Sequence, residues 1–260
     1  MRIEVPKDAL SLENREGAPP LIYAGISDIG LVRPNNEDVW AAHPESGFFA
    51  LADGMGGHQA GEIAAKEAIE QLLRHFRPSD DPKGALQYAI EEANRKVFEK
   101  GRSSEQMNGM GTTLCCLFCS QKTVVYAHVG DSRIYRFRQG KLEQLTEDHS
   151  LYSRWQMLGK TSHDPYPYKN VITRAIGTSR KVIPEISSTS FEPGDLFLLC
   201  SDGLSDSLPL QDMEKVIERS DTLESATERL VEKAKIMGSS DNITVLLIQV
   251  MPDAKNLLRQ

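Results

Sequence analysis

Apolar positions along the chain fall into two rhythms. Short apolar runs closed off by polar or turn-forming residues, "LIYAGISD", "GFFALAD", "DLFLLCSD" and "DNITVLLIQV", read as strands. A longer stretch, "TTLCCLFCSQKTVVYAHVGDSRIYRFRQGKLEQLT", holds three or four β-rich runs broken at Ser120-Gln121, Gly130-Asp131 and Gln139-Gly140. That spacing predicts a meander of antiparallel hairpins. Elsewhere the rhythm is helical. "GEIAAKEAIEQLLRHF" puts Ile63, Ala65, Ala68, Ile69, Leu72, Leu73 and Phe76 on one face, and "GALQYAIEEANRKVFEK" follows after a Pro/Asp-rich break. Two further helical stretches, about 210 to 219 and 222 to 237, lead into the final strand.

This order is not the regular alternation of a parallel sheet. It predicts an α+β chain in which antiparallel sheets carry helix pairs on their outer faces. Residues 1–20 read as a polar leader ending in Pro19-Pro20, residues 21–252 as one domain, and residues 253–260 as a short tail. Residues 149–171, with Pro165 and Pro167 interleaved among tyrosines, read as irregular.

Composition narrows the class. Hydrophobic residues at 40% and charged residues at 26% suit a soluble globular protein. A net charge of −7 argues against a nucleic-acid surface, which needs clustered positive charge. The first residues lack the apolar core of a signal peptide, and no apolar run is long enough to span a bilayer, so a cytoplasmic location is expected. Cys115, Cys116 and Cys119 sit in one strand-like run, where period-two geometry sends Cys115 and Cys119 one way and Cys116 the other. With no second Cys/His pair, these and Cys200 read as reduced core residues rather than zinc ligands.

The candidate chemistry lies in a habit of closing apolar runs on a carboxylate. Asp53 follows "ALA", Asp131 follows "AHVG", Asp202 follows "FLLCS", and Asp241 opens "DNITVLLI"; "RPNNED" adds Glu37 and Asp38. Any one Asp-Gly reads as a turn. The set reads differently, because several carboxylates brought together repel, and cations relieve that conflict. All-oxygen ligation without His or Cys selects hard ions such as Mg²⁺ or Mn²⁺. Gly54 could bring a bare backbone carbonyl close to such an ion. No G-x-S-x-G elbow, phosphate-binding glycine loop, H-E-x-x-H or cysteine-based phosphatase loop is present. Any hydrolysis would therefore use a metal-activated water.

Together, "SDIGLVRPNNEDVW", "ALADGMGGHQAGEIAA", "GMGTTL", "AHVGDSRIYR", "LTEDHSL", "ITRAIGT", "LFLLCSDGLSD" and "DNITVLLI" resemble, in order and from about residue 22 to 250, the metal-dependent protein phosphatases of the 2C type in their bacterial form. The resemblance implies a four-layer αββα β-sandwich of two antiparallel sheets flanked by pairs of helices. It implies hydrolysis of phosphoserine and phosphothreonine with two Mn²⁺ or Mg²⁺ ions. Asp53 would bridge both ions, Asp202 and Asp241 would complete one site, and Glu37 with the Gly54 carbonyl the other. Asp38 would act through a bound water, and a third, weaker ion would take Asp131 with Asp202. Arg33 stands where the family keeps an arginine that grips the substrate phosphate, a role suited to a planar, bidentate guanidinium. Arg174 is read as structural.

Two departures from the pattern bear on mechanism. Many eukaryotic members carry a histidine general acid at the position of Met55; here His58 is the nearby candidate, with a helix-start or surface histidine as the alternative. The family's mobile flap falls on residues 149–171, whose "SHDPYPYKN" does not resemble a helical flap; His163, Tyr166 and Tyr168 are either substrate contacts or solvated loop residues. The expected partners are phosphorylated proteins and a bacterial Ser/Thr kinase, with the chain acting as a monomer. Two alternatives stand beside this: a non-catalytic regulatory protein binding a phosphorylated partner, and a hydrolase of small phosphate esters.

Overall fold

Side-chain alternation along the strands sets the layers, and it does so around three separate cores. The structure, a computed structural model, describes residues 1–3, 18–56, 60–121, 123–158 and 171–252. Among these the strands are β1 (Arg2–Ile3), β2 (Leu21–Asp28), β3 (Asp38–His43), β4 (Phe48–Met55), β5 (Gly111–Thr112), β6 (Leu114–Cys119), β7 (Thr123–Val129), β8 (Arg133–Arg138), β9 (Lys141–Gln144), β10 (Glu185–Ser190), β11 (Leu196–Cys200) and β12 (Ile243–Val250). The helices are α1 (Ala60–His75), α2 (Pro82–Gly101), α3 (Leu151–Met157), α4 (Asp202–Ser205), α5 (Leu210–Glu218) and α6 (Leu223–Ile236).

One sheet runs β1-β3-β4-β6-β7-β10, with β5 pairing onto the end of β4; the other runs β2-β12-β11-β8-β9. Every pairing is antiparallel except that of β1 with β3, so the first sheet is mixed at that edge. In β4, Phe48, Ala50 and Ala52 face the α1/α2 pair, while Phe49 and Leu51 face the second sheet. There they meet Phe197, Leu199, Leu246 and Ile248 in the middle core. On the far side, Leu198, Val245 and Leu247 pack beneath α5 and α6 with Met213, Leu230 and Ala234. The four cysteines are free and buried; Cys115 and Cys119 lie between the sheets and Cys116 faces the helices, as period two requires.

Helix starts follow local chemistry. Asp81 accepts a bond from the Gly84 N–H at 3.0 Å with Pro82 opening α2, and Thr222 accepts from Ser225 N–H at 3.1 Å before α6. The α1 stripe is wider than its periodicity predicts, taking in Ala60, Gly61, Ala64 and Gln71, because this helix packs on both the sheet and α2.

Three elements differ from the sequence reading. β4 does not end at Asp53 but continues to Met55, because β5 pairs Thr112 with Gly54 and Gly111 with Met55. The chain then turns at Gly56, whose φ of 144° excludes ordinary side chains. Within the stretch read as irregular, α3 forms, started by Ser150 accepting from Ser153 N–H at 3.0 Å. β10, "EISSTS", has no apolar alternation to reveal it; it is held at a sheet edge by backbone pairing to β7.

Phe76 ties the outer core together, stacking on Phe48 at 4.6 Å and meeting Phe118 edge-on at 5.1 Å. Its replacement by alanine should cost about 3–5 kcal/mol, seen as a lower urea midpoint with an unchanged slope. A loss well below that range would mean the cavity collapses and that the aromatic cluster is not what fixes α1 on its sheet.

Candidate metal centre

The carboxylates converge because strand register brings their backbones together from both sheets. Asp38 opens β3 directly across from Asp53 near the end of β4. In the other sheet β12 pairs with both β2 and β11, so Asp241 before β12 and Asp202 after β11 emerge at the same end. Ser201 joins the two sheets there: its Oγ donates to Asp38 Oδ2 at 2.8 Å and accepts from the Thr244 N–H at 2.9 Å. Asn242, buried beside Asp241, makes three bonds with one amide. It accepts from Glu37 N–H at 2.8 Å and donates to the Ile29 and Asn35 carbonyls, each at 2.9 Å. That fixes the loop carrying Arg33 and Glu37. Thr113 accepts from Asp53 N–H at 3.0 Å, while Thr112 Oγ1 and the Thr113 N–H both donate to the Asp53 carbonyl at 2.8 Å.

The electrostatics of this arrangement are unfavourable as they stand. Burial pushes the Asp53 carboxyl well above the ordinary carboxylate range, and Asp38, Asp202, Asp241 and Asp131 push it further. Asp202 is raised in the same way, by burial and then by Asp131, Asp241, Asp206 and Asp38. Burial also raises Asp38, against the opposing bonds from Thr244 and Ser201. It raises Glu37 as well, where the nearby Arg33 works against it. Two oxygens, Asp38 Oδ1 and Asp202 Oδ1, are buried with no hydrogen-bond partner among the described residues. Buried acceptors that remain unsatisfied are uncommon and need an explanation. Here the oxygen-only donor set fits a hard divalent cation.

Backbone space supports that fit. A side-chain carbon on Gly54 would collide with the Gly61 carbonyl and come within 2.8 Å of the Glu37 carbonyl oxygen; one on Gly61 would come within 2.5 Å of Glu37 Oε2. The start of α1 therefore packs directly against Gly54 and Glu37. Arg33, half exposed at the rim, pairs with Asp241 at 2.6 Å, its Nη2 donating to Asp241 Oδ2.

Asp131, in the turn after β7, acts on both Asp202 and Asp53. Burial, with Asp148 and Asp206 nearby, raises its carboxyl to about 6. Arg133 neutralises that neighbourhood, gripping Asp148 through Nε and Nη2 at 2.7–3.0 Å, with Asp206 at 3.7 Å. Arg174 donates to Glu185 and to the Ile183 carbonyl, neither of them a candidate ligand. Met55 lies partly buried at the end of β4. His58, and with it Gly57, falls outside the described residues, as do His163, Tyr166 and Tyr168.

Sequence reading did not single out Ser201, Asn242, Thr113 or Thr244, although all but Thr113 adjoin or lie near a candidate ligand within a quoted motif. A small polar residue beside such a carboxylate was the available signal. Its partners, up to 217 positions away in the chain, were not readable.

Comparison with known proteins agrees with this geometry. Residues 33–235 match the family model for protein phosphatase 2C. A serine/threonine phosphatase, Stp, of Listeria monocytogenes is 36% identical over 235 residues, covering 86% of this chain and 93% of its own. The catalytic domain of the serine/threonine protein phosphatase PstP in complex with two manganese ions superposes with a TM-score of 0.82 at 34% identity, covering 89% of this chain and 99% of its own. Stp1 of Staphylococcus aureus superposes at 0.85 with 29% identity, covering 92% and 99%. Matches of this extent, on a sandwich whose two sheets bring acidic strand ends to one place, make the chain a member of the protein phosphatase 2C family of metal-dependent phosphatases.

Proposed function

We propose that this protein hydrolyses phosphoserine and phosphothreonine on other proteins, with water as the nucleophile. The observation that carries the reading is the pair of orphaned, buried carboxylate oxygens within a convergent acidic cluster of a phosphatase-family chain. Glu37, the Gly54 carbonyl, Asp53, Asp202 and Asp241 would hold two Mn²⁺ or Mg²⁺ ions, with Asp53 shared between them. When bound, such ions lower the pKa of coordinated water and offset charge on phosphoryl oxygens.

The remaining steps fall to the chain's own groups. Arg33 is anchored by Asp241 yet half exposed, so its other N–H groups are free to take phosphoryl oxygens in a planar fork. Asp38, held by Ser201, keeps one oxygen available to orient a water. Met55 has no proton to give, so His58 is the candidate donor to the departing serine or threonine oxygen. Asp131 with Asp202 would take a third, weaker ion. The partners would be phosphorylated proteins and an opposing Ser/Thr kinase, with the protein acting as a cytoplasmic monomer. No helix among the described residues is long and apolar enough to cross a membrane. The regulatory reading is not favoured, because every candidate ligand position is filled.

A phosphothreonine peptide should be hydrolysed with Mn²⁺ or Mg²⁺ and not with chelator, and Asp53→Ala and Asp202→Ala should each reduce turnover to background. Wild-type protein that binds phosphopeptide but releases no phosphate with either metal would replace this reading by the regulatory one. Arg33→Ala should lower kcat/KM for the same peptide about 10- to 100-fold, the worth of a hydrogen bond to a charged group, and Arg33→Lys should recover part of it. An unchanged kcat/KM would remove Arg33 from phosphate binding.

Stability without metal should depend on pH in a defined sense. Because the folded Asp131 carboxyl is raised to about 6, the folded, metal-free protein holds that proton more tightly than the unfolded chain. The stabilisation is complete below the unfolded pKa of 3.8 and is lost as pH rises through about 6. In chelator, Tm should fall between about pH 4 and pH 6.5, and Asp131→Asn should flatten that slope and raise Tm at the upper end. An equal slope in both proteins would contradict the burial of this carboxylate.

A further inference from the structure

Beside the acidic cluster lies a group of side chains that the mechanism does not use. His128 on β7, His149 after β9 and Glu185 at the start of β10 bring potential ligand atoms within 4.8 Å of one another. The hydrogen bonds argue against a cation there. The Gly130 N–H donates to His149 Nδ1 at 3.1 Å, which leaves Nε2 to carry the proton of a neutral ring, and Glu185 Oε1 lies 3.1 Å from that Nε2. The Arg174 guanidinium lies 3.0 Å from that Nε2 and donates to the same Glu185 oxygen at 3.2 Å. His128 stacks on His149 at 4.4 Å and donates from Nε2 to the Glu147 carbonyl at 2.7 Å. Burial pushes His149 down to about 4, with His128 and Arg174 adding to the effect, so the ring is neutral at physiological pH.

What this ring holds is the turn that carries Asp131. Gly130 has a φ of 107°, a conformation other residues rarely adopt, and a side-chain carbon there would collide with Thr113, the residue that accepts from Asp53 N–H. Gly130 has no side chain with which to brace itself. His149 braces it at both ends of the residue: its N–H donates to the Gly130 carbonyl at 2.9 Å, and its Nδ1 accepts the Gly130 N–H. The His149 carbonyl in turn accepts from Thr173 N–H at 2.6 Å, and Ser150 bridges to Ile172. With the backbone contact alone, the carbonyl side of Gly130 would still be held, but its buried N–H would lose the Nδ1 acceptor, and the Val129–Gly130 peptide, and with it the φ of Gly130 ahead of Asp131, would lose its restraint.

We propose that His149 is a positioning residue, whose Nδ1 lone pair holds the Gly130 N–H and, with the backbone bond to the Gly130 carbonyl, fixes the turn conformation that aims the Asp131 carboxylate at a divalent cation. Glu185, an acceptor beside Nε2, favours the tautomer this requires, while the Arg174 guanidinium at the same nitrogen opposes it and is drawn off by its own bond to Glu185. The inference rests on the reading of Asp131 as an ion ligand.

Two substitutions separate the atoms. In His149→Asn the side-chain oxygen sits near the place of Nδ1 and can still accept from Gly130; in His149→Gln the side chain reaches toward Glu185 instead. Full-length protein would be titrated with Mn²⁺ by calorimetry, and the exchange of the Gly130 amide followed by NMR. The expected result is a near-normal weak Mn²⁺ association and a protected amide in His149→Asn. In His149→Gln the association should be about 10- to 100-fold weaker, the usual effect of losing a group that orients a ligand, with faster amide exchange. Equal behaviour of the two variants overturns the proposal. Asp131→Asn tells the two readings apart. If it removes the weak association and His149→Gln does not, only the role of His149 falls; if it changes nothing, Asp131 is no ligand and both fall. Nitrogen shifts of the wild-type ring give a test free of variants: a proton on Nδ1 would overturn the proposal by itself.

Discussion

Like charges gathered at one end of the sandwich are the constraint to which the rest of this structure answers. Burial, and after it the repulsion among Asp38, Asp53, Asp131, Asp202 and Asp241, raises the proton affinity of Asp53 and Asp202 well above that of free carboxylates. Left to itself such a cluster would spread apart or take up protons. Neutral groups hold it in place. Ser201, Thr113 and Asn242 bond the carboxylates or the peptides beside them, and none brings a charge of its own. Arg33 and Arg133 supply positive charge only at the margins, pairing with Asp241 and Asp148.

This makes the site a gauge of how the two sheets pack. Asp38 and Asp53 lie in one sheet with Glu37 just before it, Asp202 and Asp241 flank strands of the other, and Ser201 joins them. Their relative placement is set by the core between the sheets, where Trp40, Phe49 and Leu51 meet Phe197, Leu199 and Leu246. Close packing there resists small displacements, so stability is coupled to function through geometry. The outer helices contribute differently: α1 packs through Gly61 against Gly54 and Glu37, so its docking shapes the site as well as covering the sheet.

Much of this was legible along the chain because it rests on local periodicity. Alternation in "LCCLFC" correctly divided Cys115 and Cys119 from Cys116, and the stripe in "GEIAAKEAIEQLLRHF" marked the buried face of α1. β10 was not legible, since a Ser/Thr-rich edge strand depends on its neighbour's free backbone groups rather than on its own pattern. The passage of β4 beyond Asp53 was hidden for the same reason, being decided by pairing with β5.

Local pattern along the chain was enough to mark the candidates for the chemistry: carboxylates at the ends of apolar runs, glycines beside them, and one arginine ahead of Glu37. It was enough because strand periodicity and residue chemistry are local properties. Only the tertiary structure decided how those residues are held. That Asn242 fastens Glu37, that Ser201 spans two sheets to reach Asp38, and that His149 grips Gly130 follow from register and packing. A hydrogen bond requires its two groups within about 3 Å of each other, and the spacing of residues along a chain does not fix that distance across a fold.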